Sequence, residues 1–113
     1  MAVKSDKNFA NFFEWETADL PLTFDPPEAL IDYKDIVVSL KQNDVLLHKM
    51  TNELDIDEEH GQILVSLSQE ETSLFKDGRA YIQANIFYKS SKRNTTHKGI
   101  LQIEDNLFKQ VME

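Results

Sequence analysis

From Tyr33 to Tyr88 apolar residues alternate with polar ones in short runs, and each run ends at a polar break. Asp35 to Leu40, Val45 to Met50, Ile63 to Leu67 and Arg79 to Tyr88 put every second side chain on one face, the two-residue period of a half-buried antiparallel strand. Ile36, Val38 and Leu40 share one face of a strand at 33–41; Gln42-Asn43-Asp44 then reads as a hairpin turn, because Asn and Asp tolerate left-handed backbone. A short alternation at 53–57 leads through Glu58-Glu59-His60-Gly61 into a strand at 62–67. The longest run, 79–89, carries Ala80, Ile82, Ala84, Ile86 and Tyr88 on one side and Tyr81, Gln83, Asn85 and Phe87 on the other. Leu20, Leu22 and Phe24 predict an earlier strand ending at Pro26-Pro27, and Gly99 to Ile103 a later one. The fold expected is all-β: an antiparallel sandwich of about seven strands.

One local signal is helical. Ser68-Gln69-Glu70-Glu71 has the spacing of a capping box, predicting a short helical turn over about 69–75, stopped at Gly78, with Leu74 and Phe75 plugging the end of the sandwich. Leu107, Phe108, Val111 and Met112 suit either a short amphipathic terminal helix or a last irregular strand. The first 18 residues stand apart, because Phe9, Phe12, Phe13 and Trp15 gather four of the 11 aromatics into seven positions. They divide the chain into an aromatic N-terminal arm at 1–18 and a sandwich at 19–113. The arm is expected to pack on its own sandwich or on a neighbouring subunit, since contiguous apolar surface needs a partner.

Composition narrows the function classes. A chain of 113 residues makes one domain. With no cysteine, disulfides, thiol catalysis and cysteine-ligated zinc are excluded. No signal peptide or run of membrane-spanning length is visible, so synthesis in the cytoplasm is expected, without a membrane partner. A net charge of −8 argues against nucleic acid. That charge is unevenly spread: residues 1–60 hold 14 acidic and 5 basic side chains, whereas 61–113 hold 6 and 7. Much of the positive charge falls in the predicted hairpin Lys89 to Lys98, and such charge ordinarily serves a solvated turn.

No catalytic, cofactor or metal constellation is expected. Asp55, Asp57, Glu58 and Glu59 begin like a calcium loop, but Gly61 falls one position late and Ser66 stands where a bidentate Glu is needed, which favours a solvated turn. His48, His60 and His97 lack paired ligand spacing, and neither a nucleophile elbow nor a phosphate-binding glycine loop occurs.

The stretch from Tyr33 onward resembles small structural proteins of phages and prophages of Gram-positive bacteria, related to the immunoglobulin-like N-terminal domain of baseplate upper proteins. The residues that carry the resemblance are Tyr33 to Gln42, Leu54-Asp55-Ile56, and above all Ile63 to Phe75, followed by Gly78-Arg79-Ala80-Tyr81-Ile82-Gln83. The aromatic N-terminal segment and the charged hairpin depart from that pattern. The resemblance implies an immunoglobulin-like sandwich without enzymatic activity, a virion part (tail, baseplate or head-attached) that binds other virion proteins or itself. With the aromatic segment and the charge asymmetry, it makes Phe9, Phe12, Phe13, Trp15, Lys92, Arg93 and Lys98 the expected partner interface, an acidic first half meeting the basic hairpin of a next copy. Two other readings stay open: an accessory sandwich recognising carbohydrate or a host protein through its loops, and an intracellular regulator made by a mobile element.

Overall fold

The computed structural model describes residues 2–4, 11–25, 30–96 and 98–112. Among the described residues ten strands form two sheets. The first contains β1 (Ala2–Lys4), β3 (Ala18–Asp25), β7 (Gln62–Leu67) and β6 (Leu54–Asp57), in that order. The second runs β2 (Phe12–Phe13), β10 (Gly99–Glu104), β8 (Gly78–Tyr88), β4 (Tyr33–Gln42) and β5 (Val45–Lys49), with β9 (Arg93–Thr95) also paired to β8. Among the described residues all pairings are antiparallel except β2 with β10. In chain order this is an immunoglobulin arrangement: one sheet of A-B-E-D type against one of G-F-C type (β10, β8, β4) extended by β2, β5 and β9. The strand count exceeds the expected seven because β1, β2 and β9 are only two or three residues long.

The core is the pair of inner faces. Leu20, Leu22 and Phe24 of β3 with Ile63, Val65 and Leu67 of β7 meet Ile36, Val38 and Leu40 of β4, Ala80, Ile82, Ala84 and Ile86 of β8, and Leu101 and Ile103 of β10. Each is buried, and full burial of one such aliphatic side chain is worth about 1.5–3 kcal/mol. The alternation therefore selects the correct face in every long strand. Pro21 is accepted inside β3 because, among the described residues, the strand is an edge there: β1 pairs only with Thr23, Phe24 and Asp25.

The helical turn forms as its local sequence dictates. In α1 (Gln69–Thr72) Glu71 N–H donates to Ser68 Oγ at 3.2 Å, and Ser68 N–H donates back to Glu71 Oε1 at 3.0 Å. Gly78 has φ +125, inaccessible to most side chains. Phe75 is fully buried, but Leu74 is exposed, so only one of the expected pair plugs the sandwich.

Residues 12–13 and Ala18 lie in the sheets, with a turn between them: β2 joins β10 and Ala18 opens β3. Two expectations change. Residues 105–112 form neither helix nor strand, because Leu107 and Phe108 have no neighbouring face to cover. The basic segment is not one long loop either. Tyr88 N–H donates to Lys92 O, closing a tight turn with Ser91 at φ 70, and β9 starts at Arg93. Between β9 and β10 the buried Thr96 continues the ladder: its N–H donates to Ala84 O and its Oγ1 accepts from Ala84 N–H, both at 2.9 Å.

Candidate functional site

The chain is elongated, 46 × 28 × 26 Å, and its two ends carry different side-chain clusters. β8 runs from one to the other. Its 11 residues span about 33 Å, from Gly78 at what we call the base to Tyr88 at the tip.

At the base, segments remote in sequence are tied together by side chains that imitate main chain. Gln42 donates from Nε2 to Lys76 O and accepts Lys76 N–H at Oε1, both at 2.7 Å, which fixes the 73–77 turn to the end of β4. Gln69 does the same for the C-terminal segment, donating to Met112 O at 2.8 Å and accepting Met112 N–H at 3.0 Å. The buried Thr72 hydroxyl donates to Glu16 O at 2.7 Å. Glu14 is buried too: its Oε2 accepts Asp77 N–H at 2.9 Å, and Lys109 Nζ stands 3.3 Å from Oε1, a contact too poorly aligned for a hydrogen bond. The hydrogen bond to Asp105, and then the Glu14 carboxylate beside it, hold the Lys109 pKa above its ordinary value, against a smaller opposing effect of burial.

Lys49 points inward from β5, level with Val38, and bonds Glu71 with Nζ–oxygen distances of 2.6 and 2.8 Å. Burial pushes the Glu71 pKa up, but bonds from Lys49 and Ser68 N–H, with the Lys49 charge, outweigh it and leave the carboxyl below its usual value. The strand's parity carried a readable signal here, since a lysine at an inward position demands a carboxylate.

These ties place Phe13, Leu74, Leu107, Phe108 and Met112 on the surface around the base, all of them exposed. Leu107 is the extreme, at 97%. It sits at the apex of a turn in which Phe108 N–H donates to Asn106 Oδ1 at 3.1 Å and Lys109 bridges to Asp105 at 2.7 Å. The result is an apolar knob held by its own polar contacts. Trp15, half-buried and next to the buried Glu14 in sequence, has φ 68, and its buried Nε1 finds no acceptor among the described residues.

The tip is different. A groove of about 430 Å³ on the outer face of the larger sheet has Val37, Met50, Phe87 and Tyr88 as apolar lining and Lys34, Lys89 and Lys92 around it, with Asp35 the one acid. Lys89 N–H donates to Asp32 O, which joins the β8–β9 turn to the segment before β4. On the other sheet at this end, Asp57 accepts the His60 N–H and ring nitrogen, at 3.1 and 2.8 Å, and these bonds lower its pKa. Asp57, with Asp55 and Glu58, also borders a second hollow of about 660 Å³. Among the described residues no three His, Asp or Glu side chains converge as metal ligands.

The expected interface residues are thus dispersed. Phe12 is buried within its own sandwich, its ring edge-on to Phe75 at 6.0 Å and 76°. Phe13 and Trp15 lie at the base; Lys92 lies about 30 Å away at the tip groove. Arg93 is occupied, stacked 4.8 Å over Phe87 and donating twice to Asn85 Oδ1 at 3.2 and 3.0 Å. Lys98 is exposed beside the start of β10, and Phe9 is outside the described residues. Leu107 and Phe108 enter the surface from a segment whose apolar spacing suited a helix or a strand and gave no sign of an exposed turn. In comparisons with known proteins, no family model and no curated protein matches the chain.

Proposed function

We propose that this chain is a non-catalytic assembly module of a phage or prophage virion, acting through protein–protein contacts at the two ends of its sandwich. The observation that carries the reading is the apolar surface of the base. Leu107, Phe108 and Met112 stand out from a segment that polar contacts hold in place, and ordered apolar patches on a small domain mark contact surfaces. The likeness of Ile63 to Phe75 and Gly78 to Gln83 to small phage structural proteins supplies the biological setting, an association at the level of family. The immunoglobulin-type sandwich suits such a role, since it leaves both ends of a rigid body available for binding.

The test is to purify phage particles on a density gradient from induced bacteria that carry the gene, and to probe them with an antibody to this chain. Co-sedimentation, with immunogold label at one fixed place on the particle, is the expected result. A chain that stays wholly in the soluble fraction while particles assemble normally would sink the reading.

A further inference from the structure

Resting on the assembly reading, we infer that the partner of the base is the tip of a second copy: the 105–109 knob of one chain docks in the lysine-bordered groove of the next. The two surfaces match in chemistry. The knob is an apolar apex, Leu107 and Phe108, with Glu104 and Asp105 immediately before it. The groove is an apolar hollow of about 430 Å³ bordered by Lys34, Lys89 and Lys92, whose ammonium groups have no ion-pair partner among the described residues. Over the segments that meet at the base, residues 14–16, 41–49, 69–79 and 104–109, eight acidic side chains outnumber five basic ones, so the base as a whole is acidic. Complementary potentials of this kind orient the encounter, while the apolar insertion supplies affinity.

Placement at opposite ends fixes the kind of assembly. A chain cannot close this contact on itself across about 33 Å of β8. Each copy offers one knob and one groove, which makes the contact heterologous and repeats it into a ring or a filament. The knob is also pre-organised: the Asn106 turn and the Lys109 bridges fix it before binding, which reduces the ordering cost of association.

Two variants of the full chain test this, each altered at exposed positions so that the fold is preserved: Leu107→Asp, and the pair Lys89→Glu with Lys92→Glu. Circular dichroism and thermal melts confirm folding, and light-scattering molar mass is followed over concentration at low and high salt. Wild type should self-associate and lose mass as salt rises; each variant should be monomeric, with association weakened by about 30-fold or more. Mixing the variants is decisive. The lysine variant keeps its knob and the Leu107 variant keeps its groove, so together they should form a one-to-one dimer that grows no further. Variants that associate like wild type, or a mixture that stays monomeric, overturn the contact. So does a wild type that is monomeric at every concentration and low salt. If that monomer still co-sediments with particles, the self-docking is lost but the assembly reading stands.

Discussion

Truncating Phe12 separates an arm that docks elsewhere from a segment built into its own domain. Phe12 is 1% exposed, pairs with Ile103 across the parallel β2–β10 junction, and meets the fully buried Phe75 edge-on. Replacing a buried Phe by Ala removes its transfer energy and leaves a cavity, together about 3–5 kcal/mol. For a domain of this length about 4 °C of melting temperature is lost per kcal/mol, so Phe12→Ala should melt roughly 12–20 °C below wild type. Phe13, one position on, points outward opposite Glu104 and is 45% exposed; Phe13→Ala should stay within about 0.5 kcal/mol of wild type. The assay is thermal and urea denaturation of the dilute monomer, read by circular dichroism and by the single Trp15. A double-mutant cycle of Phe12 and Phe75 to Ala should return a coupling of about 0.5–1.5 kcal/mol. Equal, small effects for Phe12→Ala and Phe13→Ala would refute the argument, for then residues 12–13 contribute nothing to the isolated domain.

Thr96→Val leaves the buried Ala84 N–H without an acceptor and should cost about 1–3 kcal/mol in urea unfolding, whereas Thr96→Ser, which keeps the hydroxyl, should cost clearly less. For the Lys49–Glu71 pair the folded pKa of Glu71 lies below its ordinary 4.5, so the stabilisation is complete above that value and disappears as pH falls through the folded pKa. The urea-midpoint gap between wild type and Lys49→Met should therefore be widest near neutral pH and narrow below about 4.5; a gap constant down to pH 3 would contradict the linkage. Gln69→Ala removes both bonds to Met112, and the Met112 amide should lose protection from hydrogen exchange while the β8 amides keep theirs.

The strands were legible because their signal is local and repeated. In β4, β7, β8 and β10 the inward face is apolar at every second position, so a shift of one residue would turn the whole set outward. The Ser68–Glu71 box was legible for the same reason, since both partners lie within three residues. The base was not. Glu14 among aromatics gives no hint that it is buried against Asp77, 63 residues away, and Gln42 and Gln69 look like ordinary surface glutamines although each stands in for a peptide group. A grouping of four aromatics suggested one arm, but period two divides Phe12 from Phe13, one into the core and one into solvent.

Neighbouring residues already carry the all-β class, the seven longer strands with their inward faces, and the start of the helical turn, because backbone propensity and side-chain alternation are local. Tertiary structure alone decided the parallel joining of β2 to β10, the use of Thr96 as a ladder group, and the separation of an apolar acidic base from a lysine-bordered tip. Those features depend on contacts between residues tens of positions apart. Their partners are chosen by how two sheets pack, and nothing in either local stretch specifies the other.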